Sequence, residues 1–190
     1  MMYFLDFDRT LFDTDSYNRS LLEKPVLASL KKAFEDIFEE EKKGQNDGAE
    51  KRHALWDEVS ARMHSGELTF TPGELSPFVY GDVSEFLRML GNDAAIITFG
   101  EKKRQQMKLE SALAGIVRLT VFYTEDVLKG DYLATYPHLV PQDALFVDDR
   151  PLELENVATQ FPAMKIYEMR RDGGTGDGRW PVVHSLSELP

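Results

Sequence analysis

Short, continuously apolar runs alternate with amphipathic stretches along most of this chain. The first five residues, Met1-Met2-Tyr3-Phe4-Leu5, include no charged position, as expected of a strand buried on both faces of a parallel sheet. Comparable runs recur at 94–98, 119–122, 144–147 and 164–167. Between the later runs the hydrophobic period lengthens to that of a helix. One helix is predicted over 101–113 and stopped by Gly115, another over 151–161 with Pro151 at its first position, where a missing N–H costs nothing. Five strands alternating with helices predict an α/β fold: a three-layer, Rossmann-like parallel sheet of about five strands with helices on both faces.

Residues 14–81 break the alternation, with helical periodicity and no convincing buried strand. Leu22, Val26, Leu30, Ala33, Phe34, Ile37 and Phe38 recur every three or four residues, placing them on one face of a helix that Pro25 opens or kinks. Lys31, Lys32, Glu35 and 39–43 take the other face. A turn is expected over 44–48, followed by a second, antiparallel amphipathic helix carrying Leu55, Val59 and Met63. This predicts a small helical cap at 14–81, inserted after strand one of a core formed by 1–13 and 82–190. The core resumes at Asp82-Val83-Ser84-Glu85, which has the spacing of a helix-start capping box.

Composition narrows the classes. The chain has 190 residues, 42% of them hydrophobic, enough for one core with an insertion. With 22 Lys and Arg against 33 Asp and Glu, the net charge of −11 opposes a nucleic-acid partner. No cysteine is present, which removes disulfides and thiolate metal sites. No apolar run approaches the ~18 residues of a membrane span, and no cationic leader precedes the first strand; a soluble, cytoplasmic protein is expected. The glycine-rich 173–178 lacks the Gly-Lys-Ser/Thr ending of a phosphate loop and reads as a surface turn.

The candidate chemistry lies just past the strand ends. Asp6 and Asp8 flank Phe7 directly after the first run, and Asp148 and Asp149 end the fourth. In an open α/β sheet the ligand crevice lies beyond these carboxyl ends. Four carboxylates converging there repel one another unless a cation holds them. Without Cys or a His cluster, a hard divalent ion such as Mg²⁺ fits best. Thr98 ends strand two, and Phe99 and Gly100 at the following helix start offer N–H groups to an anion. Lys129, after strand three, supplies a cation.

Taken in order, Asp6-Phe7-Asp8-Arg9-Thr10-Leu11, Ile96-Ile97-Thr98, Lys129-Gly130 and Phe146-Val147-Asp148-Asp149 resemble the four motifs of the haloacid dehalogenase superfamily, whose members often carry a cap where this chain has its insertion. The resemblance implies that Asp6 is a nucleophile forming an aspartyl phosphate and Asp8 a general acid and base. It further implies that Thr98 and Lys129 hold the phosphoryl group. Mg²⁺ would be bound by Asp6, Asp149 and the backbone carbonyl of Asp8, with Asp148 an outer partner and Glu153 orienting a metal-bound water. Members that cleave carbon–halogen bonds lack a carboxylate at the second position, so Asp8 favours phosphoryl transfer.

The expected activity is therefore a Mg²⁺-dependent phosphatase of a small phosphorylated metabolite. A phosphomutase and a catalytically silent binding protein of the same fold are the alternatives. A receiver domain would carry its acceptor Asp after strand three, where this chain has Phe122-Tyr123-Thr124. Substrate selection is expected from the cap, where Arg52, His53, Trp56, Arg62 and His64 lie on or beside the second helix, although surface or packing roles fit most of them as well. Oligomeric state is not legible.

Overall fold

The computed structural model describes residues 1–42, 48–116 and 119–190, and side chains other than those of 38–53. The apolar runs form one six-stranded sheet of β1 (Tyr3–Leu5), β2 (Ala94–Phe99), β3 (Thr120–Thr124), β4 (Leu145–Asp148), β5 (Lys165–Met169) and β6 (Val182–Val183), in the order β3-β2-β1-β4-β5-β6. All five pairings are parallel. The helices are α1 (Thr14–Leu22), α2 (Ala28–Lys42), α3 (Gly48–Ser65), α4 (Val83–Leu90), α5 (Lys102–Ala112), α6 (Lys129–Ala134) and α7 (Pro151–Gln160). The sixth strand is absent from the sequence reading because two residues hold too little pattern to mark a strand.

Strand β1 lies between β2 and β4, with Leu5 opposite both Ile96 and Val147. This central place accounts for its lack of polar positions, since Tyr3, Phe4 and Leu5 are all buried. On one face Phe4, Ile97, Phe146 and Ile166 pack with Leu133, Leu154 and Val157 of α6 and α7. Gly130 permits that packing, because a Cβ there would lie 2.7 Å from the Asn156 carbonyl oxygen. On the other face Tyr3 meets Phe86 of α4 edge to face at 5.6 Å.

The chain divides into two compact units, one of Met1–Thr14 with Pro72–Pro190, the other of Asp15–Thr71. The stretch 72–81, expected in the cap, belongs to the first unit because its backbone is bonded there. The N–H of Gly73 donates to the Ser111 carbonyl and that of Tyr80 to the Leu11 carbonyl, while Asp13 donates to Phe78. Within the second unit Pro25 takes one of the two roles expected for it: it opens a helix and does not kink one, since a 3₁₀ turn at Pro25–Leu27 separates α1 from α2. Helices α2 and α3 run antiparallel: Arg62 donates to the Val26 carbonyl, and Phe34 and Trp56 meet edge to face at 5.1 Å. Arg62 also pairs with Glu58, so Arg62 and Trp56 are engaged inside this unit. The side chains of Phe38, Arg52 and His53 and most of the 44–48 turn lie outside the described residues. Among those described, no helix is long and apolar enough to cross a membrane.

Candidate active site

The site begins where β1 runs out. Asp6 still belongs to the sheet through its N–H, which donates to the Val147 carbonyl at 2.9 Å. The chain then doubles back: Leu11 and Phe12 both donate to the Phe7 carbonyl, and Arg9 donates to Phe12. Arg9 takes a φ of 60°, a left-handed conformation uncommon outside glycine. The Phe7 and Phe12 rings stack at 4.9 Å beneath this loop. From the far end of the chain Arg171 donates twice to the Thr10 carbonyl, at 2.8 and 3.0 Å, and once to Asp82. Asp82 therefore does not cap α4 as its spacing predicts. Its carboxylate instead accepts from Arg171, Ser185 and the Leu186 N–H.

Four of the sequence-predicted residues meet at the ends of β1, β4 and the start of α6. The ammonium of Lys129, fully buried, donates to Asp6 and, at 2.6 Å, to Asp148. Ligand oxygens of Asp6, Asp148 and Asp149 lie within 4.8 Å of one another. Burial lowers the Lys129 pKa, but the charges of Asp148 and Asp6 outweigh it and hold the group above the ordinary lysine range. Burial, reinforced by Asp148, Asp149 and Asp8, pushes Asp6 well up against the opposing pull of Lys129. Asp149 is pushed up to about 7 by burial and by Asp148.

Asp8 is handled differently. Its Oδ1 accepts from the Lys108 ammonium at 2.5 Å and from Thr14 Oγ1 at 2.6 Å, and its Oδ2 from Gln105 Nε2 at 2.8 Å. Burial alone would raise its pKa, but Lys108, joined by the bonds from Thr14 and Gln105, brings it down to about 2. Two aspartates two residues apart thus have opposite environments, an arrangement found where one carboxyl attacks and the other moves protons.

Thr98 is fully buried and its Oγ1 has no partner. The N–H groups expected to flank it are less available. Gly100 donates its N–H to the Thr124 carbonyl at 3.0 Å, and Phe99 turns its ring outward beneath Arg150. The start of α5 is capped by carboxylates, Glu101 accepting from Lys103 and Arg104 and Glu125 from Lys102. An anion is thereby kept from that helix end. Glu153, expected to orient a metal-bound water, is fully buried and accepts the Lys129 N–H at 2.9 Å, with Arg150 on its other oxygen. Its geometry anchors Lys129 instead.

The residues present suit a hard cation. Asp6 Oδ2 is buried without a hydrogen bond, and the donors beside it are all carboxylate oxygens, the set Mg²⁺ prefers. Asp8 contributes no carboxylate to this cluster, leaving only its carbonyl to the role the resemblance implies. A pH prediction follows from Asp149. The folded chain holds this proton up to about pH 7, whereas the unfolded chain releases it near pH 4. Folding thus takes up protons across that interval, and metal-free stability falls as pH rises through it. Asp149→Asn is expected to stabilise the chelated protein at pH 8 by about 1–2 kcal/mol, a few degrees in Tm. Millimolar Mg²⁺ is expected to raise the Tm of the wild type, and the same change should abolish that rise. Thermal melts with Mg²⁺ and with chelator check both arms.

Lys108, Gln105 and Thr14 were not singled out by the sequence reading. A signal existed: residues 105, 108, 109 and 112 form one helical stripe of α5 and all are buried, so a Gln and a Lys stand where apolar residues belong.

No family model and no curated protein matches the sequence. Solved structures do match. A haloacid dehalogenase-like hydrolase from Burkholderia xenovorans LB400 superposes with a TM-score of 0.67 at 20% identity, covering 99% of this chain and 94% of that one. The UTR4 protein of Saccharomyces cerevisiae gives a TM-score of 0.55 at 17% identity over 99% of both chains. A haloacid dehalogenase-like family hydrolase from Xanthomonas campestris gives 0.55 at 13%, over 98% of this chain and 87% of that one. At these identities the likeness is one of architecture: the chain has the haloacid dehalogenase-like fold.

Proposed function

We propose that this protein is a Mg²⁺-dependent phosphohydrolase of the haloacid dehalogenase superfamily, acting on a small phosphomonoester through an aspartyl phosphate on Asp6. The observation that carries the reading is the arrangement around Lys129: one buried ammonium between Asp6 and Asp148, with Asp149 alongside and the separately held Asp8 two residues on. A chain selected for stability alone gains little from such a cluster, because buried ion pairs seldom outperform apolar packing.

In this reading the carboxylate of Asp6 attacks phosphorus, and the bond from phosphorus to the leaving oxygen breaks with its electron pair going to that oxygen. Asp8, ionised in the free site, takes up a proton as the negative charge of the phosphate arrives beside it and passes that proton to the leaving oxygen. Water then attacks the phosphorus of the aspartyl phosphate and gives a proton to Asp8. The bond from phosphorus to the Asp6 oxygen breaks, and the carboxylate is restored. Lys129 and the Thr98 hydroxyl bind the phosphoryl oxygens. Mg²⁺, when bound by Asp6, Asp149 and the Asp8 carbonyl, offsets the repulsion between a carboxylate nucleophile and a phosphate dianion.

The test is phosphate release from a panel of phosphomonoesters, including sugar phosphates, nucleotides, phosphoserine and phosphoglycolate, with Mg²⁺ and with chelator. Metal-dependent release from at least one is expected. Transfer of phosphate to a second hydroxyl without release would make the protein a phosphomutase. Tight Mg²⁺ binding with no turnover of any kind would make it a binding protein.

A further inference from the structure

The Asp8 carboxylate is bound more completely than a proton-transferring group in an open crevice needs to be. Its three donors come from two places: Thr14 at the exit of its own loop, and Gln105 with Lys108 from the buried stripe of α5. The helix is otherwise anchored conventionally, with Leu109 and Ala112 continuing the same stripe into the core. Lys108 is 4% exposed. Its ammonium lies 5.4 and 5.3 Å from the Phe7 and Phe12 ring centroids, a placement that gives the cation favourable contact with two ring faces. Gln105 also donates to the Phe99 carbonyl, so the same amide ties Asp8 to the end of β2.

The two oxygens of Asp8 are thus pinned from different directions, which sets the plane of the carboxylate. With Thr14 alone, which binds only Oδ1, the group could rotate about its terminal torsion, which is broad for Asp. We propose that Lys108 on Oδ1 and Gln105 on Oδ2 are together positioning residues that set the Asp8 carboxylate for proton transfer in the phosphohydrolase reaction, a role that rests on the reading of Asp6 and Asp8 given above. Such a rotation matters because proton transfer needs donor and acceptor within hydrogen-bond reach, and a positioned acid–base group contributes about 10²–10⁴-fold.

The two half-reactions use Asp8 differently with different leaving groups, and that separates positioning from a general loss of structure. An alkyl phosphomonoester needs the proton from Asp8 to expel its leaving oxygen, whereas p-nitrophenyl phosphate expels a stable phenolate without it. Both need Asp8 as base to hydrolyse the aspartyl phosphate. For Lys108→Met, which keeps the stem between the rings, kcat/KM for an alkyl phosphomonoester that the wild type hydrolyses is expected to fall about 10²-fold. For p-nitrophenyl phosphate kcat/KM should stay within a few-fold while kcat drops, with a burst of p-nitrophenol equal to the enzyme present. Lys108→Arg should recover part of the alkyl activity, and Gln105→Met, which frees Oδ2, should give the same signature and keeps the test open if Lys108→Met does not fold. An equal loss of kcat/KM on both substrates, or no loss on either, would overturn the positioning role and leave the Asp6 reading standing. A wild type that turns over neither compound, beside an equally inert Asp6→Asn, would overturn both.

Discussion

Replacing Lys129 by Met is expected to destabilise the protein by about 3–5 kcal/mol, the usual cost of removing one partner from a buried ion pair. At this chain length that is a fall in Tm on the order of 10 °C. The reason is local. The ammonium is fully buried between Asp6 and Asp148, which are 4% and 0% exposed, and methionine fills the same space without neutralising either. One of the two carboxyl groups must then take a proton. The loss should accordingly be smaller at pH 5 than at pH 8, because the raised pKa makes that proton costlier to hold as pH rises. Denaturation across this range checks the sign. The double variant Lys129→Met with Asp148→Asn should regain most of the stability and none of the activity. A Lys129→Met protein as stable as the wild type at pH 8 would mean that this ammonium does not neutralise the cluster. In a variant that folds, inorganic phosphate binding should weaken more than Mg²⁺ binding, since Lys129 touches the phosphoryl group in the proposed scheme.

Asp6→Asn should act in the opposite manner. In the proposed scheme Asp6 is the nucleophile, and its loss is expected to lower metal-dependent phosphate release by about 10⁴-fold or more. Its fold should be kept, and its metal-free Tm at pH 8 should be equal to or above that of the wild type. Asp6 is held above the usual carboxylate range by burial and by three neighbouring carboxylates, and an amide removes that strain while Lys129 keeps Asp148 as partner. Activity and melting temperature measured on one preparation separate the outcomes. Retention of more than a trace of turnover removes Asp6 as nucleophile. Loss of both activity and stability marks Asp6 as structural.

These contrasting effects come from neighbouring residues whose environments could not be read one position at a time. The positions of Asp6, Asp8, Asp148 and Asp149 after apolar runs were legible, because a parallel sheet buried on both faces writes its strands as unbroken hydrophobic segments. That Lys129 lies between Asp6 and Asp148 was legible only as the presence of a cation after strand three. Its contact with both depends on α6 approaching α7 at Gly130, where a side chain would strike the Asn156 carbonyl. The N–H groups after Thr98 read as an anion site, but Glu101 and Glu125 fill the helix end, one of them from beyond the next strand. Asp82 had the spacing of a cap and is used by Arg171, 89 residues later in the chain.

The sequence by itself determined the fold class and the set of acidic residues at the strand ends, because these depend on local periodicity and on where apolar runs stop. Tertiary structure alone decided which carboxylate is attached to which cation. Asp6 and Asp8 are chemically the same side chain. Lys108, donating to Asp8 from 100 positions along the chain, brings its pKa down, whereas burial and the carboxylates of Asp148, Asp149 and Asp8 hold Asp6 up against the pull of Lys129, 123 positions away. Ionisation depends on burial and on charges a few ångströms away, and neither is a property of sequence neighbours.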